Sequence, residues 1–489
     1  MFELDLVAER ARVTPRKLAV VSVESGERLT YAQLDARVSA AAGMLLHAVA
    51  PGDRVGLLAY NCIEFLEIFF GAIRAGIIVV PLSTRSTAHE LTHIVRDCDM
   101  RLLIHGPEFE AVAGEAGIPS RSIHEKPTVG NLTPRSTILN PGRHDPESIA
   151  CLLYTSGTTG KPKGVMIPRR QLWWNGYNTA INWGLRDDDV TPVFTPLYHA
   201  GGLAAFMIPI FCAGGTVVVH KTFDAAEVWR TFEQERCTVA LGVPTIWKLL
   251  MEAPEFATVD LSHVRWVISG GAPLPHFIIE AYQRRGIVFK QGYGMTEVGV
   301  NCFTMTVEES FAKPGSIGRP MLFTEVKLAG ADGETLGDGE IGEMWIRGPH
   351  VSKGYWNNEA ATREAYTADG WLKTGDLARR DDDGFFYIAG RRKEMFISGG
   401  VNVYPAEIEA ALVAHLDVTD AAVIAVADET WGEVGVAFVV ASTDEAELVR
   451  YLEERLSKYK VPKRFVVVDT LPRSAYGKVL KEELRKRLS

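Results

Sequence analysis

Short apolar runs alternating with amphipathic helical stretches constrain this chain more than any other feature. Residues 54–59, RVGLLA, read as a buried strand, residues 63–75 as an amphipathic helix and residues 76–80, GIIVV, as the next strand. The pairing recurs at 216–220 with 225–234 and at 264–269 with 278–285. Strands that are apolar throughout need cover on both faces, and strands separated by helices run parallel, so the main body is α/β with parallel sheets. From about Gly315 the pattern shortens to alternating strands with Gly and Asp turns, as in VKLAGADGETLGDGEIGEMWIRG (326–348), which predicts antiparallel sheet or a small β-barrel-like subdomain. Beyond Arg392 the texture becomes α+β, with helices over 405–413 and 445–456 and strands over 421–426 and 434–441. Two domains are expected: a large one over 1–392 and a small C-terminal cap over 393–489.

Composition narrows the class. At 489 residues, 47% hydrophobic and 23% charged, the chain is long enough for more than one core. A net charge of −9 gives no general attraction to nucleic acid or anionic membrane. The start, MFELDLVAERARV, puts acids and arginines where a signal peptide needs an apolar stretch. Six cysteines (Cys62, Cys98, Cys151, Cys212, Cys237 and Cys302) lie far apart with no C-x-x-C pair, which fits a reducing cytosol. Residues 200–219 are uncharged and long enough to span a bilayer. Gly201-Gly202, Pro209 and Gly214-Gly215 are expected to chop that stretch into a short helix, a turn and a strand. The expectation is a cytoplasmic protein without a transmembrane segment.

The chemistry-bearing runs lie on loops after strands. In TSGTTGKPKG (155–164), Thr155, Ser156, Thr158 and Thr159 offer hydroxyls, while Gly157, Gly160 and Gly164 let backbone N–H groups approach an anion. Lys161 and Lys163 add charge. A Walker loop needs four residues between its glycine and its Gly-Lys, so the spacing Gly157-x-x-Gly160-Lys161 excludes that NTPase reading. QGYGMTE (291–297) nearly imitates a dinucleotide fingerprint, but Glu297 stands at the third glycine position and would repel a pyrophosphate unless a cation intervened. Glu297 is better used as a Mg²⁺ ligand, with Tyr293 stacking on a base and Thr296 donating to a phosphate. Asp376 in TGD (374–376) could accept from ribose hydroxyls, GRRKE (390–394) adds cations, and Lys478 sits on a glycine-flanked turn in LPRSAYGKVLKEELR (471–485). A reading from another class comes from HELTH: His89 and His93 stand one helical turn apart with Glu90 between, the spacing of zinc proteases. A solvated helix face, with Leu91, Ile94 and Val95 on its core side, is the alternative.

Taken together, these runs resemble the adenylate-forming superfamily of acyl-CoA synthetases, luciferases and peptide-synthetase adenylation domains, most of all its bacterial fatty-acid–CoA ligase branch. The resemblance spans nearly the whole chain, through LTYAQLDARV (29–38), YTSGTTGKPKGVM (154–166), TPLYHAGGL (195–203), VPTI (243–246), GGAPLP (270–275), QGYGMTE (291–297), GYWNNEAAT (354–362) and GWLKTGDL (370–377). It implies an AMP-forming acid–thiol ligase that turns a carboxylic acid, ATP and CoA into acyl-CoA, AMP and pyrophosphate through an acyl-adenylate. On that resemblance the 155–163 loop holds the β,γ-phosphates. Gly270, Gly271, Ala272, Pro273 and Tyr293 frame adenine, Gly292 and Gly294 belong to the same nucleotide site, and Thr296 meets the α-phosphate. Glu297 binds Mg²⁺, and Asp376 and Arg391 take the ribose. Lys478 bridges carboxylate and α-phosphate, and Lys393 is the hinge about which the cap exchanges Lys478 for a CoA tunnel at Ser398, Gly399 and Gly400.

The acyl pocket implied by the resemblance comprises Tyr198, His199, Gly201, Trp247, Met295, Val298 and Val300, mostly small or apolar and without a basic partner for a second carboxylate. This favours an apolar monocarboxylic acid. Medium- to long-chain fatty acids come first; an aryl or succinylbenzoate-like acid is the alternative. His199 is read as gating the thioester step, or else as a packed polar histidine. An amino-acid adenylation domain would need an acid near His199 to hold the α-ammonium, and the stretch here is PLYHAGG. Basic residues between Lys458 and Arg487 could meet the CoA 3′-phosphate or a membrane surface, and a homodimer is compatible with the sequence.

Overall fold

The computed structural model describes residues 5–125, 145–155, 162–271, 274–473 and 479–488. The strands read as buried form parallel sheets. The largest has six strands in the order 120–122, 100–105, 54–58, 78–81, 149–155 and 163–168, parallel except for the last pair. That last pair is the hairpin carrying TSGTTGKPKG, and Thr155 faces Lys163 across its base. A second sheet sets Leu18–Ser22, Thr216–Val219 and Val190–Val193 side by side in parallel. A third consists of Val239–Gly242, Trp266–Ser269 and Phe289–Gln291, also parallel. Between the sheets, Tyr31–Ala48 and Ile63–Arg74 pack face to face, and Gly71 is needed there because a Cβ would lie 2.9 Å from that of Ala41.

The antiparallel texture after Gly315 is a sheet of Glu325–Ala329, Ile341–Arg347, Leu372–Arg380 and Phe386–Arg391. A further bridge from Gly318 to Phe386 extends its edge. Past residue 395 the strands Val418–Asp428 and Gly432–Ala441 form a long antiparallel ladder. Pro405–Val413 and Glu445–Glu453 help close a core containing Phe396, Ile408, Leu412 and Leu448. No hydrophobic cluster among the described residues mixes side chains from before 391 with side chains from after 395.

Residues 200–219 form the expected helix, turn and strand, although Gly201-Gly202 and Pro209 do not break the helix. Residues 200–213 stay helical throughout, because Leu203–Met207 form a π-helical stretch between two α-helical pieces. Pro209 follows directly on the π-helical stretch, where the wider hydrogen-bonding pattern accommodates a residue without an N–H. Only Gly214, at φ +89°, stops the helix before the strand Thr216–Val219. No helix among the described residues is long and apolar enough to cross a membrane.

Candidate active site

The three parallel strands 239–242, 266–269 and 289–291 each run into glycine: Gly242 itself, Gly270 and Gly292. Ligands of open parallel sheets bind beyond the carboxyl ends of the strands. A Cβ at Gly270 would meet nothing nearer than the Gly292 carbonyl oxygen at 3.9 Å, so side chains leave this ledge open. Gly271 turns away at φ +84°; Ala272 and Pro273 lie outside the described residues. Tyr293 follows at the ledge and donates its hydroxyl to Asp376 Oδ2 at 2.6 Å. Burial, reinforced by the Asp376 charge, pushes its phenol well above the ordinary value, so it remains a donor.

Asp376 and Arg391 are direct partners across the 372–380 and 386–391 strands, and Arg391 Nε reaches Asp376 Oδ1 at 2.8 Å. Asp376 is only 5% exposed, whereas the Arg391 side chain stays 38% exposed. Thr374–Asp376 lie at a register shift within the strand, fixed by Gly375 at φ +71° and by the Thr374 hydroxyl, which donates to the Met344 carbonyl at 2.6 Å. A buried carboxylate beside an accessible guanidinium can accept from vicinal hydroxyls, as a ribose site requires.

Across the ledge, Thr296 and Glu297 begin a tight turn, with Glu297 7% exposed. Gln171 donates from Nε2 to the Thr296 carbonyl at 2.9 Å, and Ser352 N–H donates to the Glu297 carbonyl at 2.7 Å. Tyr355 donates its hydroxyl to Glu297 Oε1 at 2.9 Å, and its ring lies 5.3 Å from Lys163 Nζ. Magnesium is ordinarily held by one or two carboxylates and takes its remaining oxygens from water and nucleotide phosphates, so the buried Glu297 carboxylate fits that ion. Ser156, Gly157, Thr158, Thr159 and Lys478 lie outside the described residues; Thr155 and Lys163 pair at the base of the hairpin that holds the 155–163 segment.

Of the residues expected to line an acyl pocket, Tyr198 is buried and His199 accepts from Gly201 N–H at Nδ1, 3.1 Å away, capping the helix that starts at Ala200. A Cβ on Gly294 would stand 1.5 Å from the Val300 carbonyl oxygen, and Val300 itself is held at φ +85°, a region that β-branched residues avoid. Met295 and Val298 belong to the same apolar cluster beneath this turn. Trp247 is fully buried in another core, edge-on to Phe194, Tyr282 and Phe289, with its indole N–H on the Ile268 carbonyl.

The description "AMP-binding enzyme" is matched by residues 7–356, and "AMP-binding enzyme C-terminal domain" by residues 407–478. The chain belongs to the AMP-binding enzyme family. It is 41% identical to a feruloyl-CoA synthase of Amycolatopsis over 98% of this chain and 97% of that one. It is also 36% identical to the long-chain-fatty-acid–CoA ligase FadD13 of Mycobacterium tuberculosis over 99% and 98%. Among solved structures, o-succinylbenzoate CoA synthetase of Bacillus subtilis in complex with ATP and magnesium superposes at a TM-score of 0.88 with 32% identity, over 98% of this chain and 99% of that one. The chain is accordingly an adenylate-forming enzyme of the AMP-forming acid–CoA ligase class.

In this AMP-binding enzyme the protease-like spacing has a local explanation. Glu90 caps its own helix, accepting from Thr87 N–H at 2.7 Å while Thr87 Oγ1 accepts from Glu90 N–H. No group of three or more His, Cys, Asp or Glu converges on a metal position among the described residues. At the other end, Lys393 is exposed in the turn after the 386–391 strand. Gly399 and Gly400, both at positive φ, make the two-residue turn between the strands Phe396–Ser398 and Val401–Val403, with Ser398 buried at its base. Sequence reasoning gave no role to Tyr355, Gln171 or His350. His350 bonds the Val298 carbonyl through Nδ1 at 2.6 Å and the Thr324 hydroxyl through Nε2 at 2.9 Å.

Proposed function

We propose that this ligase activates an apolar monocarboxylic acid, foremost a planar aromatic acid of the hydroxycinnamate class, and transfers it to CoA. The 41% identity to a feruloyl-CoA synthase over 98% of the chain carries this reading. It is supported by the site, where none of the side chains assigned to the acyl pocket is a lysine or arginine and the wall at Gly294 and Val300 is sterically fixed. Fatty acids are the second reading, favoured by the 36% identity to FadD13.

In this proposal Tyr293 and the Gly270 ledge hold adenine, Asp376 and Arg391 hold the ribose, and Lys163 with the 155–163 loop holds the terminal phosphates. Glu297 would hold magnesium, which supplies positive charge to the phosphates when bound. The acid's carboxylate and the ATP α-phosphate are both anionic, so Lys478 bridges them while the carboxylate attacks and pyrophosphate leaves. The cap, taken as 393–489, then turns about Lys393, withdraws Lys478 and brings 398–400 to the site. The CoA thiol attacks the acyl carbonyl and AMP departs.

The test is kcat/KM for CoA-thioester formation on ferulate, 4-coumarate, benzoate, decanoate, hexadecanoate and 2-succinylbenzoate. Ferulate or coumarate is expected to exceed the fatty acids by at least about 10-fold, a difference that pocket shape alone can supply. The reverse ranking would transfer the assignment to fatty acids, and preference for the dicarboxylate would overturn the apolar pocket.

A further inference from the structure

Tyr355 belongs to a segment laid between two parts of the nucleotide site. Residues 353–356 run antiparallel to the edge strand Lys163–Pro168: Met166 N–H donates to the Gly354 carbonyl at 2.9 Å and Trp356 N–H to the Gly164 carbonyl at 2.8 Å. On the opposite side Ser352 N–H holds the Glu297 carbonyl. Gly354 stands at φ +100° and packs so closely on Thr362 that a Cβ would come within 2.4 Å of it. Thr362 Oγ1 in turn accepts from Tyr355 N–H at 3.0 Å. The Tyr355 backbone is therefore fixed before its side chain makes any contact.

That side chain joins two groups from distant stretches of sequence. Its hydroxyl takes up one lone pair of Glu297 Oε1, and its ring faces the Lys163 ammonium. A carboxylate anchored at one oxygen cannot rotate freely, and outer contacts of this kind orient metal ligands. A ring over an ammonium limits where that ammonium can go. We propose that Tyr355 is a positioning residue that fixes the Glu297 carboxylate and the Lys163 ammonium relative to each other, so that metal ligand and phosphate cation converge on one triphosphate.

The inference rests on the reading of Glu297 as a metal ligand, and the experiment separates the two. Binding of Mn²⁺ in the presence of ATP is followed by electron paramagnetic resonance for the full chain and for Tyr355→Phe, Tyr355→Ala and Glu297→Gln, alongside thermal melts and the KM for the acid. Tyr355→Phe keeps the ring and loses the hydroxyl. It is expected to weaken Mn²⁺ about 10-fold, as loss of an outer-shell partner does, with melting temperature and acid KM close to wild type. Tyr355→Ala, which also loses the ring, is expected to add a fall in ATP affinity. Unchanged Mn²⁺ binding in Tyr355→Phe with a clear loss in Glu297→Gln overturns the role of Tyr355 alone. Unchanged binding in Glu297→Gln overturns the metal reading beneath it. A Tyr355→Phe protein whose metal affinity and acid KM worsen equally overturns positioning in favour of a general structural role.

Discussion

Gly294 shows how closely one residue can be specified. The Val300 carbonyl oxygen occupies the place of its missing side chain, 1.5 Å from an ideal Cβ, and Val300 pays for the approach with a left-handed backbone. Gly294→Ala must push that carbonyl away or unfold the turn that carries Thr296 and Glu297. A loss of about 2–4 kcal/mol is expected, the range for overpacking added to backbone strain. Urea denaturation reads it directly, and an unchanged midpoint would mean that the turn yields at little cost. The glycine was singled out in the sequence as part of QGYGMTE, but the reason for it was not legible. Nothing in the spelling of residues 291–297 says that residue 300 folds back onto 294.

At the scale of elements, apolar pattern carried most of the information. The strand Arg54–Leu58, the helix Ile63–Arg74 and the strand Thr216–Val219 lie close to where their periodicity places them, because burial on two faces leaves a continuous apolar signature. The helix, turn and strand expected over 200–219 are present, but of the expected breakers only Gly214 acts, because breaker rules count glycine and proline without asking where in a helix they fall. A π-helical stretch ahead of Pro209 lets the helix continue. Tyr355, Gln171 and His350 were illegible for another reason: each acts on a carbonyl or carboxylate far away in sequence, a pairing that no local pattern encodes. The strand Thr216–Val219 carries a further consequence at its end. His220 is fully buried beside Phe194, and neither ring nitrogen has a hydrogen-bond partner among the described residues. Glu227 approaches Nδ1 only to 3.9 Å.

Burial lowers the His220 imidazole from 6.5 to about 4, the Asp224 charge opposing it only in part. The folded chain therefore takes up this proton less readily than the unfolded one. The advantage of the neutral form is complete above pH 6.5 and is lost progressively as the pH falls toward 4, amounting to about 2 kcal/mol lost at pH 5. His220→Phe is expected to flatten the stability profile over that window. A variant as acid-sensitive as the wild type would show that other groups govern the slope.

For the whole molecule, the division of hydrophobic clusters on either side of residues 391–395 is what a moving cap requires. Cap and body join through a short turn in which Arg392 N–H donates to the Gly375 carbonyl and Glu394 reaches the cap helix through Lys481 at 2.6 Å. The two halves of the proposed reaction need different parts of that cap at one site: Lys478 for adenylation and 398–400 for the thiol. Rapid-quench assay of each half-reaction in Lys478→Ala and Lys393→Pro tests this most directly. Lys478→Ala is predicted to lose acyl-adenylate formation by at least about 100-fold, the scale of removing one charge-stabilising group, yet still to convert preformed acyl-adenylate and CoA to thioester near the wild-type rate. Lys393→Pro is predicted to do the reverse, adenylating while thioester formation stalls. Equal loss of both half-reactions in either variant would contradict a cap that serves two steps by turning.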